Sequence, residues 1–276
     1  MDMNLEDSLG DILRKARVSN QVDPGAAAHA AGLGIAEYER LEETGVAPSG
    51  TRFDALGKLL TLSGPRLAGI AHGWRPEPAD LTQWQCLEVI TTAGEGMTVN
   101  AFLVWDPETK AAALFDTGFE ADPIVELVGQ HQLHLAHLFI THSHGDHVAA
   151  LAPLRGRYPS ARVHTGSARA PKEQRLVAGE VISVGDLRIA HRETPGHAED
   201  GVTYVITGWS GGAPPVLVVG DAIFAGSMGG ARDQLPLARD RVLGMILSMA
   251  EDSLICPGHG PVTTVGQERT HNPWFP

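Results

Sequence analysis

The apolar pair Phe139-Ile140 runs directly into Thr141-His142-Ser143-His144-Gly145-Asp146-His147, which gathers three imidazoles and a carboxylate within six positions. A straight strand sends alternate side chains to opposite faces, so these groups converge only where the chain turns behind an extended run. At this chain's histidine frequency, an H-x-H-x-D-H pattern arises without function on the order of once in several hundred chains of this length. That rarity favours a ligand set over a histidine-rich surface loop. Neutral imidazole and carboxylate suit Zn²⁺, Mn²⁺ or Fe²⁺.

Three more residues share one context, each just beyond an extended run and beside glycine: His197 in Thr194-Pro195-Gly196-His197, Asp221 in Val219-Gly220-Asp221, and His259 in Pro257-Gly258-His259-Gly260. Sites in sheet proteins gather at such strand ends, because the sheet is rigid and glycine lets backbone approach an ion. Singly, each residue reads as an ordinary turn or cap. With the first cluster they make five histidines and two aspartates, enough for two metals, a bridging carboxylate and open positions for water. The other eight histidines (His29, His72, His131, His134, His137, His164, His191 and His271) lack this context and read as structural or exposed.

The chain has 276 residues, long for one ordinary domain, and its first quarter differs from the rest. Over residues 5–72 the apolar positions recur only at helical spacing (Leu5, Leu9, Ile12, Leu13; Ala27, Ala30, Ala31, Leu33), predicting about five short helices. Trp74-Arg75-Pro76-Glu77-Pro78-Ala79-Asp80 suits neither helix nor sheet. The expected division is a helical domain at 1–73, a linker at 74–82 and a mixed α/β domain at 83–276. In the last, strands are predicted over 85–91, 101–105, 112–115, 137–141, 181–183, 187–190, 202–207, 216–219 and 254–256. Helices are predicted over 121–130, 148–158 and 237–250. This pattern indicates packed sheets with outer helices.

Composition excludes several classes. Residues 1–20 carry Asp2, Glu6, Asp7 and Asp11 and no continuous apolar stretch, and no later run approaches the roughly 18 to 20 residues of a membrane span. Neither a signal peptide nor a membrane association is expected. Two distant cysteines, Cys86 and Cys256, provide no disulfide framework and fit a reducing cytoplasm. With 21 basic and 33 acidic residues the formal charge is -12, which opposes broad adhesion to nucleic acid or anionic lipid.

Thr-His-Ser-His-Gly-Asp-His at 141–147, Thr-Pro-Gly-His at 194–197, Gly-Asp-Ala-Ile-Phe-Ala-Gly-Ser at 220–227 and Pro-Gly-His-Gly-Pro-Val-Thr-Thr-Val-Gly-Gln-Glu-Arg at 257–269, closing on His271-Asn272-Pro273, resemble the metallo-β-lactamase superfamily. They lie nearest its glyoxalase II (hydroxyacylglutathione hydrolase) branch, and the resemblance covers roughly residues 85–276. It implies an αββα sandwich with metals at one edge of the two sheets. It also implies that His142, His144 and His197 hold one metal, that Asp146, His147 and His259 hold the other, and that Asp221 lies between them. Two departures stand out. The glyoxalase branch carries a C-terminal helical segment that helps hold glutathione, whereas this sequence ends at Pro276, so glutathione recognition is not implied. Where the family usually shows Gly-Arg-Thr-Asp, this chain reads Ser227-Met228-Gly229-Gly230-Ala231-Arg232-Asp233, and a diverged substrate pocket is expected. Residues 165–180 and 226–236 are expected to border it.

The chemistry follows from charge. Two divalent ions, Asp146, Asp221 and a hydroxide leave the site about +1, and a metal-bound hydroxide with a water pKa lowered to about 7 becomes the nucleophile. The expected enzyme is a binuclear metal hydrolase acting on a small acyl substrate, Asp146 and Asp221 being its catalytic carboxylates and Zn the first choice of metal, ahead of Fe or Mn. A thiolate departs unprotonated, and this together with the glyoxalase II resemblance ranks thioester before lactone or other ester, with amide last. The resemblance also implies an alternative, since a branch of that family uses two His and one Asp for iron: a mononuclear iron dioxygenase acting on a persulfide, which His142, His197 and Asp221 would serve. Residues 25–42 resemble the helix-turn-helix of Cro and phage-repressor domains, the likeness spanning about 5–71, which raises the alternative of a metabolite-sensing DNA-binding regulator. Charge disfavours it: residues 1–72 hold seven basic and ten acidic residues, and the reading helix bears Glu37, Glu39, Glu42 and Glu43 against Arg40 alone. A helical module that forms a homodimer or roofs the active site is the plainer expectation.

Overall fold

The computed structural model describes residues 4–275. Five helices come first: α1 (Leu9–Ser19), α2 (Pro24–Ala31), α3 (Ile35–Thr44), α4 (Phe53–Leu60) and α5 (Gly64–Ala71). Their ends are set locally. Ser8 Oγ accepts the Asp11 N–H while the Asp11 carboxylate accepts the Ser8 N–H, a reciprocal cap on α1. Asp23 caps α2 with Pro24 in the first turn, and Gly32, at φ 71°, stops it. Leu9, Ile12, Leu13, Ala27 and Ala31 are buried as their spacing predicts, and Tyr38 and Leu41 of α3 join them. Residues 74–80 carry no regular element.

The remaining elements, in order, are β1 (Leu87–Gly94), β2 (Met97–Trp105), β3 (Ala111–Phe115), α6 (Asp122–Gln130), β4 (His134–Ile140), α7 (Gly145–Val148), α8 (Leu151–Arg157), β5 (Arg162–Thr165), β6 (Val181–Val184), β7 (Leu187–Glu193), β8 (Val202–Thr207), β9 (Val216–Gly220), α9 (Leu235–Arg241), β10 (Leu254–Pro257), β11 (Thr263–Thr264) and α10 (Val265–His271). Among the described residues the strands make two sheets, β1-β2-β3-β4-β5 and β11-β10-β9-β8-β7-β6. Pairing is parallel at β3/β4, β4/β5 and β9/β10 and antiparallel elsewhere.

Period-two alternation sorts the side chains into layers. Phe102, Phe115 and Phe139 of the first sheet meet Ile189, Tyr204 and Val218 of the second between the sheets. On the outer face of the first sheet, Leu103, Leu114 and Leu138 pack with Ile124 and Val128 of α6 and Leu154 of α8. On the outer face of the second, Val205, Leu217 and Ile255 pack with Leu235 and Ala238 of α9 and Val265 of α10, and the same apolar cluster continues into Leu9, Leu13, Leu41, Leu60 and Leu67. The order is helix, sheet, sheet, helix: the αββα sandwich expected from the resemblance, its second helical face shared with the N-terminal helices.

Several elements depart from the sequence pattern. The helix expected over 237–250 is α9 followed by a π turn at Val242–Ile246, and that expected over 148–158 is two pieces, α7 and α8. β5, β11 and α10 had no periodic signal because each is short, at 4, 2 and 7 residues. Among the described residues no helix is long and apolar enough to cross a membrane.

Glu268 of α10 is fully buried beneath the loop after β9. Its Oε2 accepts from Gly226 N at 2.9 Å and Asn272 Nδ2 at 2.8 Å, and its Oε1 accepts from Thr263 Oγ1 at 2.8 Å. Burial nevertheless pushes its pKa up to about 7, against those three bonds.

Candidate metal centre

All seven predicted side chains meet at one edge of the sandwich, where four strands end. β4 delivers the 141–147 turn, the loop after β7 carries His197, β9 ends at Gly220 before Asp221, and β10 ends at Pro257 before His259. Glycine is required at two of these ends. Gly220 has φ 52°, and a Cβ there would strike Thr141 Oγ1; a Cβ on Gly258 would lie against Asp221 Oδ1 and the His147 ring.

The side chains form two groups. In the first, His144 Nδ1 lies 3.1 Å from His142 Nε2 and 3.0 Å from His197 Nε2, and Asp221 Oδ2 is 3.3 Å from His197 Nε2 and 3.9 Å from His142 Nε2. In the second, Asp146 Oδ2 lies 3.1 Å from His259 Nε2 and 3.4 Å from His147 Nε2. Asp221 reaches this group too, with Oδ1 3.3 Å from His147 Nε2 and Oδ2 3.6 Å from His259 Nε2. One carboxylate therefore stands between two clusters of ring nitrogens.

The outer nitrogens are fixed by partners that sequence reasoning did not identify. His147 Nδ1 donates to Asp116 Oδ2 at 2.8 Å, His197 Nδ1 to Gly230 O at 3.1 Å, and His259 Nδ1 to Thr98 O at 2.5 Å. A backbone carbonyl can only accept, and Asp116 already accepts from Thr141, so Nδ1 is the donor and Nε2 faces the pocket in each ring. Asp116, 1% exposed and at φ 56°, also accepts from Thr141 N and Thr141 Oγ1, both at 2.7 Å, and so ties β3 to the ligand turn. Its signal was legible: Asp116-Thr117-Gly118 follows β3 as Asp221 follows β9. Pro195, Glu199 and Asp200 of the His197 loop share a cleft with Thr165, Gly166 and Leu176 of the 165–180 region, while Gly230 of the 226–236 region touches His197 itself.

The donor set fits divalent cations. His147 Nε2 and Asp221 Oδ1 are enclosed and make no well-aligned hydrogen bond to each other or to any other described group. Leaving two such atoms unmatched is costly unless an ion satisfies them. Three sets of nitrogens and oxygens come close enough to share an ion: His142, His144 and His197; His142, His147 and Asp221; and Asp146, His147 and His259. Electrostatics agree. Burial pushes His142 down to about 2, aided by the neighbouring imidazoles, and burial also lowers His197. His147 pays the same burial cost but is held up at about 11 by Asp116 and Asp221. Asp221, which burial alone would raise, is held far below the carboxylate range by the close approach and charge of His147, then by His259 and His142. His142 and His197 are therefore neutral, whereas His147 keeps its proton beside two carboxylates and would release it to an incoming cation.

A family model described as the metallo-beta-lactamase superfamily matches residues 94–259, a span that holds every one of the seven side chains. The chain belongs to the metallo-beta-lactamase superfamily. The hydroxyacylglutathione hydrolase of Rhodopseudomonas palustris (strain ATCC BAA-98 / CGA009) is 39% identical over 108 residues, 38% of this chain and 42% of that protein. The match thus spans under half of that relative. Hydroxyacylglutathione hydrolase GloC of Haemophilus influenzae is 26% identical over 201 residues, 64% of this chain and 92% of that protein. Among solved structures, TTHA1623 in a di-iron-bound form superposes with a TM-score of 0.54 at 26% identity, covering 68% of this chain and 100% of that one.

Proposed function

We propose that this protein is a binuclear metal hydrolase that cleaves an activated acyl bond, a thioester before a lactone or other ester. The observation that carries the reading is Asp221, whose two oxygens face both histidine groups within 3.9 Å. His142, His144 and His197 would hold one ion, Asp146, His147 and His259 the other, and Asp221 both. Zn is the first choice, with Fe or Mn compatible with the same donors. Such a pair, when bound, supplies a water nucleophile at neutral pH and an electrophilic contact for the acyl oxygen. The chain's own part is orientation: Asp116, Gly230 O and Thr98 O keep three rings turned inward, and Asp146, more exposed than Asp221, can take a proton from water at its carboxylate. The names of the relatives support trying hydroxyacylglutathione as one candidate thioester. The complete second group, Asp146, His147 and His259, favours two ions over a single-iron dioxygenase.

Two further readings complete the proposal. Residues 1–73, 74–82 and 83–276 are a helical unit, a linker and the catalytic domain, and the helical unit acts by packing on the catalytic domain rather than by reading DNA. α3 turns Glu37, Glu39, Arg40 and Glu43 to solvent, an acidic face unsuited to phosphate. The free Cys86 and Cys256 suit the reducing cytoplasm.

Purified protein is expected to carry two divalent ions and to turn over a model thioester. EDTA should reduce the rate at least about 100-fold, Zn²⁺ should restore it, and His144→Ala should be as inactive as the chelated enzyme. Turnover that survives both treatments overturns the reading. Metal analysis under anaerobic conditions separates zinc from iron. A second outcome concerns Asp116. Asp116→Ala strips the partner from His147 Nδ1, and metal affinity is expected to drop about 10–100-fold in a chelator-competition titration.

A further inference from the structure

The loop after Asp221 contains Gly226, Gly229 and Gly230. Such backbone has little restraint of its own. It nevertheless carries a demanding task, because Gly230 O must sit 3.1 Å from His197 Nδ1. Gly229 is packed so tightly on Asp221 O and the His197 ring that a Cβ there would collide with both. A small shift of this loop would therefore move a ring nitrogen of the candidate metal centre.

Glu268 and Asn272 of the C-terminal segment restrain this loop at Gly226 N and Ser227 O, and the N-terminal helical unit supplies a second restraint. Ser227 Oγ, fully buried, donates to Asp7 Oδ2 at 2.5 Å. Lys15 of α1 donates from Nζ to the same Asp7 oxygen at 2.6 Å and to Met228 O at 3.3 Å. Its ammonium also lies 5.2 Å from the centroid of the Phe224 ring, which in turn sits 5.9 Å from the ring of His259. Asp7 is 5% exposed, so the pair is shielded from solvent on the carboxylate side, and charge-assisted bonds are stronger there than at an open surface.

We propose that Asp7 and Lys15 are positioning residues for the metal centre: by gripping Ser227 and Met228 they hold the loop so that Gly230 O keeps the His197 Nε2 lone pair aimed into the site. The N-terminal helices are thereby a working part of the catalytic domain. Groups beyond the first ring of contacts commonly change metal affinity by about 10–100-fold, and the indirect route through a loop places these two at the lower end. The inference rests on the metal-binding reading and is independent of the substrate.

The test uses the full chain. Apo-protein is titrated with Zn²⁺ against a chromophoric chelator and with Co²⁺ by visible absorption, for the parent and for Asp7→Asn, Lys15→Met and Ser227→Ala. Arg17→Met serves as control, because it breaks the Arg17–Glu42 ion pair (2.6 and 2.8 Å) inside the same helical unit without touching the loop. The expected result is about tenfold weaker binding of one of two ions in each clamp variant, with an altered Co²⁺ spectrum. Arg17→Met should lower only the melting temperature. Ser227→Ala removes one hydroxyl and keeps the test decisive where the charge variants fail to fold. Folded clamp variants with both affinities within twofold of the parent, or a control that weakens binding equally, would overturn the inference alone. A parent that takes up no ion would overturn the metal-binding reading together with it.

Discussion

Asp221→Ala protein is expected to fold, to retain at most one of two metal ions, and to lose activity on a model thioester by about a thousandfold or more. The size follows from the geometry. A shared ligand contributes to both ions at once, and losing several kcal/mol of charge stabilisation at the reacting carbonyl corresponds to roughly three decades in rate. Asp221 also offsets the charge of His147, which burial would otherwise expel. Metal content by mass spectrometry and steady-state turnover on the same preparation decide the matter. A variant that keeps two ions and a near-parental rate shows that Asp221 bridges nothing, and the binuclear assignment goes with it.

Glu268→Gln is expected to change how stability responds to pH. Burial lifts the Glu268 carboxyl from its ordinary value of 4.5 to about 7. Between those values the folded chain still holds a proton that the unfolded chain has released. Folding therefore binds the proton, and stability falls as pH rises through this window, flattening above about 7. The full drop from this one group is about 3 kcal/mol. Glutamine cannot ionise, and its amide can donate to Thr263 Oγ1 while its carbonyl accepts from Gly226 N or Asn272 Nδ2. Urea unfolding at pH 5, 6, 7 and 8 should give parent and variant curves whose difference changes by about that amount. Parallel pH profiles would mean that the three donors keep Glu268 ionised throughout. Because Asn272 also donates to Ser227 O at 2.8 Å, the same carboxylate supports the loop that reaches His197.

The candidate metal site was legible in the sequence to different degrees. His142, His144, Asp146 and His147 lie within one turn, so spacing alone exposes them. His197, Asp221 and His259 are legible because each follows an extended run and borders a glycine, and the structure packs Gly196, Gly220 and Gly258 where a Cβ would intrude. Asp116 obeys the same rule yet was passed over, since one aspartate before Thr117 and Gly118 looks like an ordinary turn until β3 and β4 are seen to lie parallel and side by side. The carbonyl partners Gly230 O and Thr98 O leave no trace in residue type at all, because any residue has a carbonyl and only the fold aims it.

The helices behave likewise. Caps at Ser8 and Asp23 and the buried stripe of Leu9, Ile12 and Leu13 follow from local rules that act over three or four residues. The π turn at Val242–Ile246 that breaks the helix expected over 237–250 is not among them. Local chemistry thus specified the ligand types, the α/β alternation and a helical leader distinct from it. Which partner each ligand ring would find, and that the leader would lock its Asp7 and Lys15 onto a glycine-rich loop more than 200 positions away, came only from folding. Short-range preferences are written into neighbouring residues, whereas contacts between distant segments arise when burying apolar surface brings whole layers together.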